Sequence, residues 1–264
     1  KPQVEANSLR AGVVLVALVD VKAKKFFFGS GFVVDAERGL IVTAAHVVID
    51  MGSNKNNDPL SRLRNRNFGN EYYGMKRGRI LIGVHGGSGS YARAEFRYGA
   101  TIEERDVANQ DAVVLRIVTK LRVGDHDSMT KGKLNIYDEV PFRGSGELEE
   151  LQVCEETKLE ERIRILGYNQ GQIDDLGSAI GLNRNMDVAE GKICLQWDNS
   201  QFNQFSTEVN TLPVKKFRPT PRNHRPKMLV QKAEIQIECT NIGGHSGGPV
   251  VNDVGQVVGI LSSG

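Results

Sequence analysis

Cysteine is scarce in this chain. Cys154, Cys194 and Cys239 form an odd, widely spaced set with no C-x-x-C pair. That argues against a disulfide framework and against a zinc site, and buried small hydrophobes are the simpler reading. Long apolar runs are also missing. The longest, AGVVLVALV from Ala11 to Val19, has the length of a strand and falls far short of a membrane span. Neither sign of charge is in excess: 34 basic against 32 acidic residues leave a net +2, too little to imply a nucleic-acid or membrane partner. No signal-peptide pattern is present, although a chain that starts with Lys1 is also what removal of a targeting segment leaves. Internal repeats and alternating helices are absent as well.

Short runs rich in Val, Ile and Phe fill the 264 residues, enough for one large all-β domain or two small ones. AGVVLVALVD (11–20), KKFFFGSGFVVD (24–35) and GLIVTAAHVV (39–48) open the chain. GRILIGVHG (78–86), ARAEFRYGATIEE (92–104) and DAVVLRIV (111–118) follow. ERIRILGYN (161–169), EGKICLQW (190–197), AEIQIECTN (233–241), PVVND (249–253) and GQVVGILSS (255–263) complete the set. With turn residues between them, these read as strands of an antiparallel sandwich or barrel. Three polar segments interrupt the pattern: an Asn- and Arg-rich stretch over 51–79, an acidic one over 147–161, and a basic, Pro-rich one over 214–227. Each is expected to be a solvated surface insertion, the acidic one a loop or a short amphipathic helix. The functional alternative is a docking surface in which the basic stretches receive an acidic protein partner. A nucleic-acid contact through Lys215, Lys216, Arg218, Arg222 and Arg225 is disfavoured, because the basic stretches lack the interleaved aromatics of a single-strand groove.

The chemistry concentrates in GGHSGGPVV, Gly243–Val251. A serine hydroxyl needs a base to take its proton and donors for the oxyanion formed when it attacks a carbonyl. Glycines beside Ser246 let successive N–H groups converge on one cavity, with the amides of Gly244 and Ser246 as the natural donors. The letters also fit the G-x-S-x-G elbow of α/β-hydrolases. That fold places the histidine after the serine, and no histidine follows Ser246. The base must lie upstream. His245 is adjacent in sequence, but successive side chains diverge. His126 and His224 sit in polar loops, and His85 ends a strand. His46 follows an apolar strand and two alanines, which would let its ring lie against a packed wall; taken alone, it fits a core histidine better. A buried carboxylate should orient the imidazole. Asp111 heads an apolar strand, where an unpartnered carboxylate is costly; its competitor Asp106 heads none.

GSGFVVDAERGLIVTAAHVV (29–48), DAVVLRIV and GGHSGGPVVNDVGQVVGILS (243–262) together resemble the chymotrypsin-type serine proteases, above all their HtrA-like, single-domain trypsin-like branch. The order His, Asp, Ser is that family's, and the likeness covers roughly 12–264, with the three insertions as departures. It implies an all-β fold of two antiparallel six-stranded β-barrels, the first over 8–125 and the second over 126–264, with the active site between them. His46 and Asp111 would come from the first barrel and Ser246 from the second. It implies a serine endopeptidase acting on polypeptide through an acyl-enzyme, with no metal and no cofactor, as the protease domain of a larger protein. Family spacing puts Thr240 at the base of the specificity pocket and Ser262, Ser263 and Gly264 along its wall, and a neutral Thr240 suggests a small or medium apolar preference. Family members continue past the position of Gly264, so the last strand of the second barrel is not visible in this sequence. The cysteines that flank the active site in secreted members are absent, which favours a cytoplasmic or organellar interior over secretion. His245 stands where secreted members carry the aspartate that pairs with a newly cut N-terminus, which argues against that activation switch. The competing reading is a catalytically inactive protease fold that binds a protein partner.

Overall fold

The structure is a computed structural model, and it describes residues 5–20, 25–48, 79–86, 93–104, 111–121, 139–144, 146–154, 160–168, 184–197, 234–239 and 244–262. A short 3-10 helix, Ala6–Gly12, leads into strand β1, Val13–Asp20. Then come β2 (Lys25–Asp35), β3 (Leu40–Thr43), a single-turn helix α1 (Ala45–Val48), β4 (Arg79–Gly86), β5 (Arg93–Glu104), β6 (Val113–Leu121) and β7 (Glu139–Pro141). The chain continues with β8 (Arg162–Tyr168), β9 (Arg184–Trp197), β10 (Glu234–Cys239), β11 (Pro249–Asn252) and β12 (Val257–Ile260).

β1 explains how the two halves meet. Its seven residues Val13 to Val19 are each no more than 1% exposed. Side chains alternate across a strand, so Val14, Val16 and Leu18 point one way, into a core shared with Val33, Ile41, Ile80, Ile82 and Leu115. Val13, Leu15, Ala17 and Val19 point the other way, against Phe28, Phe32, Leu166, Tyr168 and Val251. A strand buried on both faces needs no polar side, which is why AGVVLVALV reads as an unbroken apolar run. Each fully buried Val or Leu here is worth about 1.5–3 kcal/mol of transfer free energy.

The first core fills a closed barrel. β1 pairs with β2, β2 with β3, β3 with β6, β6 with β5, β5 with β4, and β4 with β1, all antiparallel. β7 adds to β6 outside the ring. β12, β11, β8, β9 and β10 form a second antiparallel sheet in that order, joined to the barrel where Arg93 and Ala94 of β5 meet Asn185 and Arg184 of β9. This is the chymotrypsin-type, nearly all-β architecture. Among the described residues the second sheet has five strands and does not close.

Over 146–154 the acidic segment is a loop and not a helix, with its glutamates exposed, and its backbone straps the two halves together. Glu149 N–H donates to Ala11 O at 3.3 Å and Leu151 N–H to Val33 O at 3.0 Å. Val257 N–H donates to Gln152 O at 2.7 Å, and Cys154 N–H to Val257 O at 2.8 Å. The buried Leu148 and Leu151 anchor the strap, while Glu147 faces Arg97, Tyr98 and Lys120. The excess of glutamates masks two leucines whose burial decides the conformation. Cys154, expected to be buried, is a half-buried thiol at its end. Residues 51–78 and 214–227 of the two basic segments lie outside the described residues; Arg79 opens β4.

Candidate active site

The single turn of α1 carries His46, and like any helix start it offers amide groups with no partner inside the helix. Asp111, two residues before β6, supplies both acceptors: its backbone carbonyl takes the Ala45 N–H at 3.2 Å, and Oδ1 takes the His46 N–H at 2.9 Å. The β3–β6 pairing, Thr43 opposite Val113, brings the two together. So aligned, Oδ2 accepts from Nδ1 of the His46 ring and from Oγ of Ser262, the latter at 2.7 Å. A carboxylate only accepts, so Nδ1 carries a proton, and in the neutral ring it is Nε2 that has the lone pair. Burial pushes the Asp111 carboxyl up. The hydrogen bonds from the His46 ring and Ser262, the His46 charge and the His46 amide together outweigh it and hold the group below its ordinary range.

The turn that carries Ser246 is clamped from three sides. Ser30, fully buried in β2, does most of it. Its N–H donates to Ser246 O at 2.7 Å and its Oγ donates to Gly244 O at 2.9 Å. The same Oγ accepts from Tyr168 N–H at 2.8 Å, tying in β8. Ser30 O accepts from the buried Thr43 Oγ1 at 2.6 Å. Within the turn, Gly247 N–H donates to Leu261 O at 2.7 Å and Gly248 N–H to His245 O at 2.8 Å. Gly247 has φ +84°, and a Cβ there would lie 2.2 Å from Ser30 O and Thr43 Oγ1 and 2.7 Å from Ala44 N. Both its conformation and its neighbours demand glycine. Gly247 therefore packs onto Thr43 and Ala44, which lead into the turn that bears His46.

His46, Asp111 and Ser262 thus share one hydrogen-bond network, and the Gly244–Ser246 turn lies against the same wall. The hydroxyl of Ser262, a residue expected in the pocket wall, is on the carboxylate. Thr240, Ser263 and Gly264 lie outside the described residues, as do Asp106, His126 and His224. His85 is half-buried at the end of β4, where burial and the nearby charge of Arg10 hold its pKa down. Sequence reasoning missed Ser30 and Thr43. Both occur in quoted motifs, but nothing local marks a small hydroxyl within a Gly-Ser-Gly strand as a clamp on a turn more than two hundred residues away.

Comparison with known proteins agrees with this architecture. No curated protein matches the chain. Among solved structures, the active form of the Rv3671c protease from M. tuberculosis is 17% identical and is matched over 100% of this chain and 78% of its own, with a TM-score of 0.49. Deg5 is 16% identical over 98% of this chain and 87% of its own, also at 0.49. Likenesses of that size carry no weight alone. The family model described as the trypsin-like peptidase domain matches residues 29–260, from the Gly-Ser-Gly of β2 to the end of β12. The chain belongs to the trypsin-like peptidase domain family.

Proposed function

We propose that the protein is a serine endopeptidase in which His46, Asp111 and Ser246 act as a catalytic triad on polypeptide substrates. One observation carries this reading: Asp111 binds the ring and the amide of His46 at once, on the wall against which the Ser246 turn is clamped. In the reaction, Nε2 of His46 takes the Ser246 proton while Oγ bonds to the scissile carbonyl carbon. The C–N bond then breaks, with the proton delivered to the leaving amine. Water repeats the sequence to free the acid product and Ser246. Asp111 stabilises the imidazolium formed in each half. The amides of Gly247 and Gly248 are already engaged, and those of Gly244 and Ser246 are assigned to the oxyanion. Thr240, Ser262, Ser263 and Gly264 are assigned to the substrate side, with a small or medium apolar residue before the scissile bond.

A fluorophosphonate probe tests the assignment, because it reacts with an activated serine without needing a known substrate. The parent chain should be labelled at Ser246, and Ser246→Ala should lose both labelling and turnover. A folded parent that stays unlabelled would instead support a protease fold kept as a protein-binding module.

A further inference from the structure

His245 precedes the nucleophile candidate, takes no part in the proposed chemistry, and is 1% exposed. Neither ring nitrogen has a hydrogen-bond partner among the described residues. Among the described residues, packing alone holds the ring. A Cβ on Gly167 of β8 would lie 2.9 Å from Cδ2 and 3.0 Å from Cα of His245, so the slot exists because residue 167 is glycine. The bordering groups can be named. β2 presents Ser30, whose Oγ is engaged by Gly244 O and Tyr168 N–H. β8 presents Gly167. β9 presents Asp187, half-buried, directly opposite Gly167 in the register. Asp187 is the charge that acts on the ring.

A neutral unpartnered ring is tolerable in such a slot, and an imidazolium is not. We propose that His245 is a positioning residue that makes the Gly244–Gly248 turn conditional on pH: neutral, the ring stays in its slot and the turn holds its shape; protonated, it leaves toward Asp187 and the turn opens. The consequence for turnover rests on the protease reading; the opening itself does not. Burial holds the seated ring below the ordinary histidine value, with Asp187 opposing. The open form therefore binds a proton that the closed form resists. Pairing with Asp187 lifts the open ring above the ordinary histidine value of about 6.5, and above that lifted value the balance is independent of pH. Below it, down to the seated ring's own lowered value, opening grows about ten-fold per pH unit, since one proton is bound per opening.

The test uses the full chain carrying Ser246→Ala, so that self-cleavage does not interfere. Hydrogen exchange at the Gly247 and Gly248 amides, corrected for the intrinsic pH dependence of exchange, is followed from pH 8 to pH 5. Protection should be level at the alkaline end, begin to fall above about 6.5 and drop by up to about ten-fold per unit below the onset, while Ile117 in the barrel, bonded to Gly39 O, stays protected. Adding His245→Asn should flatten the response. Asp187→Asn should move the onset to lower pH by removing the partner of the protonated ring. Level protection in the His245 chain, or the same fall in His245→Asn, overturns the proposal. If His245→Asn does not fold, an onset unmoved in Asp187→Asn overturns it. In chains with Ser246 intact, the fall of kcat/KM on acidification should be less steep by one proton in His245→Asn than in the parent. Protection that switches in a parent that hydrolyses no peptide leaves the switch standing and removes the protease reading. Hydrolysis with level protection does the reverse.

Discussion

Ser30→Ala separates the clamp from the chemistry. The substitution keeps the backbone bonds to Ser246 O and Thr43 Oγ1 and removes only Oγ. Two buried groups then lose their partner: the Gly244 carbonyl, now bonded at 2.9 Å, and the Tyr168 N–H, at 2.8 Å. An orphaned buried polar group costs about 1–3 kcal/mol, so the pair costs about 2–6 kcal/mol, against a stability of about 5–15 kcal/mol for a whole domain. Each kcal/mol lowers Tm by about 2–4 °C in a chain near this size, which puts the variant at least about 4 °C below the parent. Gly244 is also assigned to the oxyanion, so kcat should fall by about 10²–10³, the loss expected when one such donor is misplaced, with KM little changed. Urea unfolding and steady-state hydrolysis of a peptide read the two effects. Ser8→Ala serves as control, since its hydroxyl bonds Glu5 O at 2.7 Å on the exposed surface and its removal should stay within about 0.5 kcal/mol. A Ser30→Ala protein as stable as Ser8→Ala, turning over within about two-fold of the parent, would falsify the clamp.

Two further variants probe the same wall. Gly247→Ala meets Ser30 O and Thr43 Oγ1 at 2.2 Å and carries a left-handed φ of +84°. It should lose about 2–5 kcal/mol from strain and overpacking together, measured by thermal unfolding, and fluorophosphonate labelling should slow with it. Asp111→Asn should cut kcat about 10⁴-fold by favouring the wrong His46 tautomer. Because the Asp111 carboxyl is held below its ordinary value, its contribution to stability is complete above that value and disappears as pH falls through the lowered one. The urea midpoint of Asp111→Asn should therefore vary less than the parent's on acidification below about pH 4.

Much of the candidate site could be proposed from sequence because its parts are local. Glycines around Ser246, alanines before His46 and an acid at the head of an apolar strand are sequence signals with mechanical reasons, and the strand runs appear as β1–β6 and β8–β12. What stayed hidden is long-range. Ser262 on Asp111 is a contact across 151 residues, and Ser30 on Gly244 one across 214. In the loop over 146–154 the charges are conspicuous, and the two leucines that tie it to both cores are not.

The sequence by itself determined the strand inventory, the residue types of the proposed triad and the need for glycine in the Ser246 turn, because periodicity and backbone sterics act between neighbours. Only the tertiary structure decided which hydroxyls hold the turn, why β1 is apolar on both faces, and that the His245 ring lies in a slot with no hydrogen-bond partner among the described residues. Those depend on which strands become neighbours, and a buried polar group is satisfied or stranded by whatever the fold packs against it.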